Sequence, residues 1–418
     1  MDEKAKGWRN LLARFRTEAR ETLRSLNSRS FRVYQIGQFV SLCGTWMQAI
    51  ALSWLVYKLS KSAMTLGIVS FASTVPVLLL SFFAGGVADR FNRRKILIIT
   101  QVLEMLQAGL LAFLTIKGLL TVPLVVALAA FLGLCSAFEM PARQAFVADI
   151  VGRSDLANAI GINSALFNLT RMIGPVLAGV CLAAFGEGIC FLLNAVSFLA
   201  ALLTLRMVTV LPQEQRKPEQ TATGLQQSLW SVIRSSGVVN ILLLIAVISI
   251  FGFQFSVLMP VIVDDLLHGQ AAQLSVLTAA IGVGALIGAL VLARRGKVKT
   301  LTRVVGVTML WLGAGLATIA WSRSLTLSAA AAAVAGLCIC LQLGGSNFIL
   351  QMSVPEQVRG RVMGVYSFFM VGLAPFGGLL AGWFAHMLGV SLAVTITAVV
   401  CAAAGAAYLW HTPRATQG

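Results

Sequence analysis

Of the chain's 418 residues, 58% are hydrophobic and only 11% charged, against about 25% charged in an ordinary soluble domain. No aqueous fold hides that much apolar surface, so a soluble globular protein is excluded and lipid is the solvent for most side chains. A formal net charge of +17 raises nucleic acid as a partner, but the basic residues are spread among loops along the whole chain and form no single patch.

Residues 1–32 are polar and basic, with nine Lys and Arg. Within 8–26, Trp8, Leu11, Leu12, Phe15, Ala19 and Leu26 recur at near-helical spacing against Arg9, Arg16, Arg20 and Arg24. That pattern suits an amphipathic helix on a membrane leaflet, with a disordered tail as the alternative. No apolar run is placed as a cleaved leader, and the first long one is long enough to span, so it is expected to stay in the mature protein. Runs of about 20 apolar residues predict spans at 33–57, 63–87, 96–116, 121–140, 157–184 and 188–208. Six more follow at 238–263, 271–293, 302–321, 325–347, 361–385 and 389–410. Between the sets, 211–236 is the one long polar interior stretch and reads as a cytoplasmic linker; 411–418 is a short tail. The expected fold is an all-α membrane protein with twelve transmembrane helices in two six-helix bundles, 33–210 and 237–410.

Lys and Arg set the orientation. Of 32, 27 fall on the side of the N-terminus, four (Lys58, Lys61, Lys117 and Arg323) on the other, and Arg171 lies within a span. The positive-inside rule then puts both termini in the cytoplasm, and topology with anionic lipid accounts for the excess charge without nucleic acid. The halves also repeat: an offset of 203 residues carries Gly85 onto Gly288, Arg94 onto Lys297, Gly161 onto Gly364, Ser164 onto Ser367 and Ala178-Gly179 onto Ala381-Gly382. A parallel repeat of six spans is one of the transporter architectures.

Between the second and third spans stands Gly85-x-x-x-Asp89-Arg90-x-x-Arg93-Arg94-Lys95. This resembles the signature loop of the major facilitator superfamily, Gly-x-x-x-Asp-Arg-x-Gly-Arg-Arg, with Asn92 where Gly is usual. Asn tolerates left-handed backbone best after Gly, so a tight turn is expected to survive. Gly85 is expected to let two helices approach closely. The resemblance implies that Asp89 faces the N-terminal end of the eleventh span, near Arg361, as a gating latch. Arg93 would then pair with an acid at the end of the fourth span, for which Glu139 is placed.

In the fifth span, Arg171-x-x-Gly174-Pro175-x-x-Ala178-Gly179 partly resembles the Gly-Pro-x-x-Gly-Gly element of major facilitator antiporters. Gly174, Pro175 and Gly179 are expected to bend the helix and pack it tightly. The stretch 139–147, read as loop, with Asn158-Ala, Asn168-x-x-Arg171 and Val354-Pro355-x-x-x-Arg359-Gly360-Arg361, is similar to the branch that holds bacterial enterobactin exporters and macrolide-efflux proteins.

Polar groups on one face of a span avoid lipid. Tyr34, Gln38, Ser41, Thr45 and Gln48 form such a stripe on the first span. In this superfamily the first, fourth, seventh and tenth spans line the cavity. The stripe is therefore expected to face cargo, together with Gln254 and Phe255 of the seventh span and Gln342 and Ser346 of the tenth; inter-helix bonding is the alternative. Arg171 is an intramembrane cation suited to an anionic cargo, and Glu104, with Glu139, is a candidate to carry a coupling proton. The seven Cys form no Cys-x-x-Cys pair, so no metal or cofactor is expected.

No Gly-x-x-x-x-Gly-Lys-[Ser/Thr] and no His-Glu-x-x-His occurs, which argues against ATP hydrolysis and zinc proteolysis. The expected function is secondary transport by a monomer: proton-coupled export of a siderophore or an amphiphilic drug-like molecule by alternating access. A lysophospholipid or metabolite importer and a transport-inactive sensor on the same fold are the alternatives.

Overall fold

The structure, a computed structural model, describes residues 24–152, 155–210, 236–294 and 298–411. The proposed amphipathic helix before residue 24, the linker and the tail beyond His411 lie outside these residues. Twelve helices are long and apolar enough to cross a membrane, and no strand occurs among the described residues. In the first half they are α1 Arg29–Ser60, α2 Ala63–Arg90, α3 Arg93–Ile116, α4 Val122–Val151, α5 Leu156–Phe185 and α6 Glu187–Met207. The second half has α7 Gly237–Leu266, α8 Ala271–Arg294, α9 Val298–Trp321, α10 Leu325–Ser353, α11 Arg361–Leu388 and α12 Val390–His411.

Polar side chains cap the helices that start after short turns. The Ser62 hydroxyl accepts from the Thr65 amide and the Asn92 side chain from the Lys95 amide. Asn92 has φ −65°, so the expected left-handed turn does not form; Asn stands here because it caps α3. The α4 helix runs well past its predicted end at 140, through Pro141 to Val151. Glu139, Arg143 and Asp149 therefore sit on a helix and not in a loop. Gly186 and Gly389, again 203 residues apart, make the α5–α6 and α11–α12 turns with φ +78° and +82°, a conformation that costs a side-chain-bearing residue dearly.

Packing repeats as the sequence does. Helix α2 lies on α4 as α8 lies on α10, and α3 on α6 as α9 on α12. Across the halves, α2 packs on α11 and α5 on α8, the same contact reached from either side of a twofold axis. Two spans are broken. Helix α7 passes through a π turn at Ile248–Gly252 and a 3₁₀ turn at Gln254–Ser256; α11 has a π turn at Phe368–Gly372 just before Pro375. Carbonyls freed by such breaks need partners inside a membrane. Ser249 Oγ donates to the Met370 carbonyl at 2.8 Å, and Gln254 Nε2 donates to the Ser249 and Ala374 carbonyls at 2.8 and 3.1 Å.

The halves meet along only part of their length. Toward the face opposite the basic loops, a Cβ on Gly67 would lie 2.8 Å from the Gly378 carbonyl oxygen, Gly179 abuts Ser275, and Phe71 meets Phe376 edge to face. Toward the basic face, Gly85 and Gly86 on α2, Gly161 on α5 and Gly364 on α11 have open space beside them. The bundle is closed at the opposite face and open at the basic one.

Candidate functional site

At the basic end of the first half, Arg93 is held by three acceptors. Its Nη1 lies 2.6 Å from Asp149, its Nη2 3.6 Å from Asp89, and its Nε donates to the Ala88 carbonyl at 3.1 Å. The Arg93 and Asp149 side chains are 16% and 10% exposed, whereas Asp89 is 66% exposed. The expected partner of Arg93, Glu139, is more than two turns further up α4; the acid at the end of this lengthened helix is Asp149. Asp89 is exposed and pairs with Arg93, and Gly85 makes no close approach, because the bundle is open here. Arg90 is exposed, and Arg94 Nη2 donates to the Arg206 carbonyl at 2.5 Å, tying α3 to the end of α6.

Glu139 belongs to a second group buried among α1, α3 and α4. It pairs with Arg143 one turn on and accepts from Gln101 Nε2 at 3.4 Å. The Glu104 carboxyl lies on the same seam as that of Glu139, and the Tyr34 ring packs edge to face on Phe146 beside Arg143. Tyr34, Gln101, Glu104 and Glu139 are each 5% exposed or less. The Tyr34 hydroxyl, Gln101 Oε1 and Arg143 Nε have no partner among the described residues.

Most of the expected cavity stripe is turned into the bundles. Gln38, Ser41 and Gln48 are buried; Gln48 accepts from Asn194 Nδ2 at 2.8 Å and donates to Gln107 at 3.2 Å, joining α1, α6 and α3. Thr45 is the exposed member, its hydroxyl bonded to the Ser41 carbonyl. Gln342 and Ser346 are fully buried, with Gln342 in contact with Thr308 and Ser346, and Gln254 and Phe255 belong to the repair of α7. Inter-helix bonding accounts for Gln48, Gln254 and Gln342: a spanning helix hides polar groups from lipid equally well in a cavity or in a seam, and periodicity does not separate the two.

Arg171 is different. Its guanidinium carbon lies 5.7 Å from the centre of the Trp46 ring, and Trp46 meets Phe167 edge to face at 5.7 Å. Gly174 creates this cradle, since any side chain there would strike the Trp46 Cβ. Cys340 of α10 is close to the guanidinium, and Gly282 of α8 packs on the Arg171 backbone, so the group stands where both halves meet. Arg171 has no carboxylate partner and no hydrogen-bond acceptor among the described residues. Asn168, one turn away, bonds to the Ser164 carbonyl, and Ser164 is exposed. The arrangement offers an anion one fixed planar cation over aromatic faces. Trp46 is the residue that sequence reasoning missed; Gly174 three residues after Arg171 was its only signal.

At the opposite face the halves are tied by polar pairs. Lys61 Nζ lies 2.8 Å from Asp264 and the Tyr57 hydroxyl donates to Asp265 at 3.0 Å, both from the end of α1 to the end of α7.

Residues 21–417 match a family profile described as transmembrane secretion effector. The staphyloferrin A transporter of Staphylococcus aureus is 28% identical, over 84% of this chain and 88% of its own. The multidrug efflux pump Tap of Mycolicibacterium fortuitum is 26% identical over 83% and 87%, and macrolide efflux protein A of Streptococcus pyogenes 22% over 90% and 95%. Among solved structures, the nucleoside transporter NupG superposes with a TM-score of 0.72 at 12% identity, over 92% of this chain and 99% of its own. A bacterial homologue of the lysosomal transporter Spinster, in an inward-facing and unoccupied conformation, gives 0.68 at 14%, over 92% and 97%. At such identities these two likenesses speak for the fold alone.

Proposed function

The chain belongs to the transmembrane secretion effector family of major facilitator transporters, and on that premise we propose that it exports an anionic, amphiphilic small molecule in exchange for protons. The observation that carries the cargo class is the Arg171 guanidinium, stacked on Trp46 beside Phe167 without a carboxylate partner among the described residues. A cation in a span costs about 2.5–3.5 kcal/mol on insertion scales, and Gly174 and Gly179 already provide close packing of α5. A carboxylate or catecholate oxygen is the natural partner for it, and a ring system or lipid-like arm suits the aromatic walls. Names of the relatives, a siderophore transporter and two efflux pumps, fit that class and that direction.

The positive-inside count supports cytoplasmic termini and an inner-membrane location, so the open basic face looks into the cytoplasm and receives cargo there. In this reading 33–210 and 237–410 move as two bodies joined by 211–236 within a monomer. Asp89, Arg93 and Asp149, with Arg90 and Arg94 beside them, act as the latch that closes the basic face when α2 meets α11.

Inverted membrane vesicles carrying the full chain test this directly. A carboxylate siderophore is expected to accumulate when the vesicle interior is acidified, to stop accumulating with a protonophore, and to do so at least tenfold less in Arg171→Ala. Erythromycin, a macrolide with a cationic amine and no carboxylate, is expected to lose less. Accumulation that ignores the proton gradient, or an Arg171→Ala variant that transports the siderophore like the parent, overturns the reading; accumulation in right-side-out vesicles alone makes the protein an importer.

A further inference from the structure

We infer that Glu104 and Glu139 form a binding site for one proton, sealed between α1, α3 and α4 and separate from the cargo cradle at Arg171. The inference deepens the exchange reading above by naming where the proton is held. The site is built as follows. Glu104 on α3 and Glu139 on α4 are both buried, and Gln101, one turn before Glu104, donates to Glu139, which brings the two carboxyls to the same seam. Two buried carboxylates facing one seam repel and do not both ionise, so the pair holds one proton. Charge counting gives the same number. Facing the pair are Tyr34 from α1, Gln101 from α3, and Cys135 and Arg143 from α4. Among the described residues Arg143 is the one cation facing the pair, and it pairs with Glu139. One guanidinium offsets one carboxylate, so the second acid is neutral only with a proton on it. The Asp89–Arg93–Asp149 group lies two to three turns nearer the basic face; two acids share one cation there as well, but Asp89 is 66% exposed and water carries its charge.

Three buried polar atoms of these residues lack a partner among the described residues: the Tyr34 hydroxyl, Gln101 Oε1 and Arg143 Nε. Native interiors rarely leave such atoms bare, and together they make a setting for water, the vehicle by which a buried acid exchanges its proton. A second observation shows that the fold does not require this charge. The 203-residue offset carries Glu139 onto Gln342 and Arg143 onto Ser346. In the second half that pair is also one turn apart, hydrogen-bonded and fully buried, with Thr308 of α9 opposite. An uncharged version therefore seals the same seam. Charge at the first-half position serves something other than packing, and a proton is the ligand for which two carboxyls and a guanidinium around water are suited.

Difference infrared spectroscopy of the purified full chain in lipid nanodiscs reads the site without any cargo. The parent is expected to show the carbonyl stretch of a buried protonated carboxyl, which shifts on exchange into heavy water and bleaches as one proton is removed by raising pH. Glu104→Gln should abolish it. Should that variant fail to fold, Glu139→Gln combined with Arg143→Ser copies the second half's own pair and leaves Glu104 without a cation, so the band should persist to higher pH than in the parent. A parent without such a band, a band that survives in folded Glu104→Gln, or one that titrates in the double variant as in the parent, overturns the assignment. Siderophore accumulation in inverted vesicles keeps the two claims apart. A parent that ignores the proton gradient defeats exchange whatever the infrared shows, while a coupled parent with an equally coupled Glu104→Gln variant defeats only this site.

Discussion

In the first half Glu139 and Arg143 of α4 pair one turn apart and look across to Gln101 and Glu104 of α3; in the second, Gln342 and Ser346 take the same turn of α10 and look across to Thr308 of α9. Both seams are buried and both are joined by hydrogen bonds. The contrast extends to the helix ends: Asp149, which holds Arg93, has as its counterpart Met352, exposed on α10. A six-helix bundle of this kind thus needs a polar seam between its third and fourth helices but not a charged one. One half has kept the repeat as a scaffold, and the other has put its ionisable groups there.

The largest expected effect tests that division. Arg143→Ala leaves two buried acids beside no cation, a change that typically costs about 3–5 kcal/mol. Ser346→Ala removes one long neutral contact of 3.5 Å, worth about 0.5–1.5 kcal/mol. Thermal unfolding of the two variants in detergent should therefore separate them clearly. Combining Arg143→Ala with Glu139→Gln should recover most of the loss, since the remaining acid is neutral when protonated. Equal losses at the two positions would mean that the halves differ in sequence only and not in electrostatics.

The sequence disclosed this architecture far better than it did the site. Apolar runs between basic loops gave twelve spans, and glycines at a fixed offset gave the repeat, because both follow from lipid and close packing acting locally. The α4 end was missed because Pro141 and Arg143 read as loop, and with it went the true partner of Arg93. The α1 stripe was legible as polar but not as seam or cavity, since both positions shield polar groups from lipid. Only Thr45 of its cargo-facing candidates is exposed. Arg171 was visible as a lone cation in a span, whereas the Trp46 cradle depends on α1 crossing α5 at Gly174, a tertiary fact with no local period.

A middle-sized effect sharpens the comparison at the helix ends. Arg93 and Asp149 are largely buried and 2.6 Å apart, so losing either should cost about 1.5–3 kcal/mol, as for a charged hydrogen bond. Arg93→Ala and Asp149→Ala should be strongly non-additive in a double-mutant cycle on stability, whereas Arg93→Ala and Glu139→Ala should be additive within about 0.5 kcal/mol. A strong Arg93–Glu139 coupling would restore the pairing that the lengthened α4 displaces.

The smallest effect on stability concerns the opposite face, yet it reads the conformational balance most directly. Lys61 and Asp264 are 64% and 33% exposed, and exposed pairs of this sort contribute about 0–1 kcal/mol. Lys61→Ala should barely move the unfolding temperature. The Lys61–Asp264 and Tyr57–Asp265 pairs, however, bridge α1 and α7 and exist only while the opposite face is shut. Whatever they contribute therefore goes entirely into the balance between the two open states, where 1 kcal/mol is roughly fivefold in population. Gly161 has open space beside it in the state seen here, so a Gly161→Cys reporter should react quickly with a water-soluble maleimide. Adding Lys61→Ala should slow that labelling up to about fivefold, and high salt should slow the parent in the same direction by screening the pair. Labelling that ignores both changes would show that the glycine-rich contact of α2 with α11, and not the charged pair, keeps the opposite face closed.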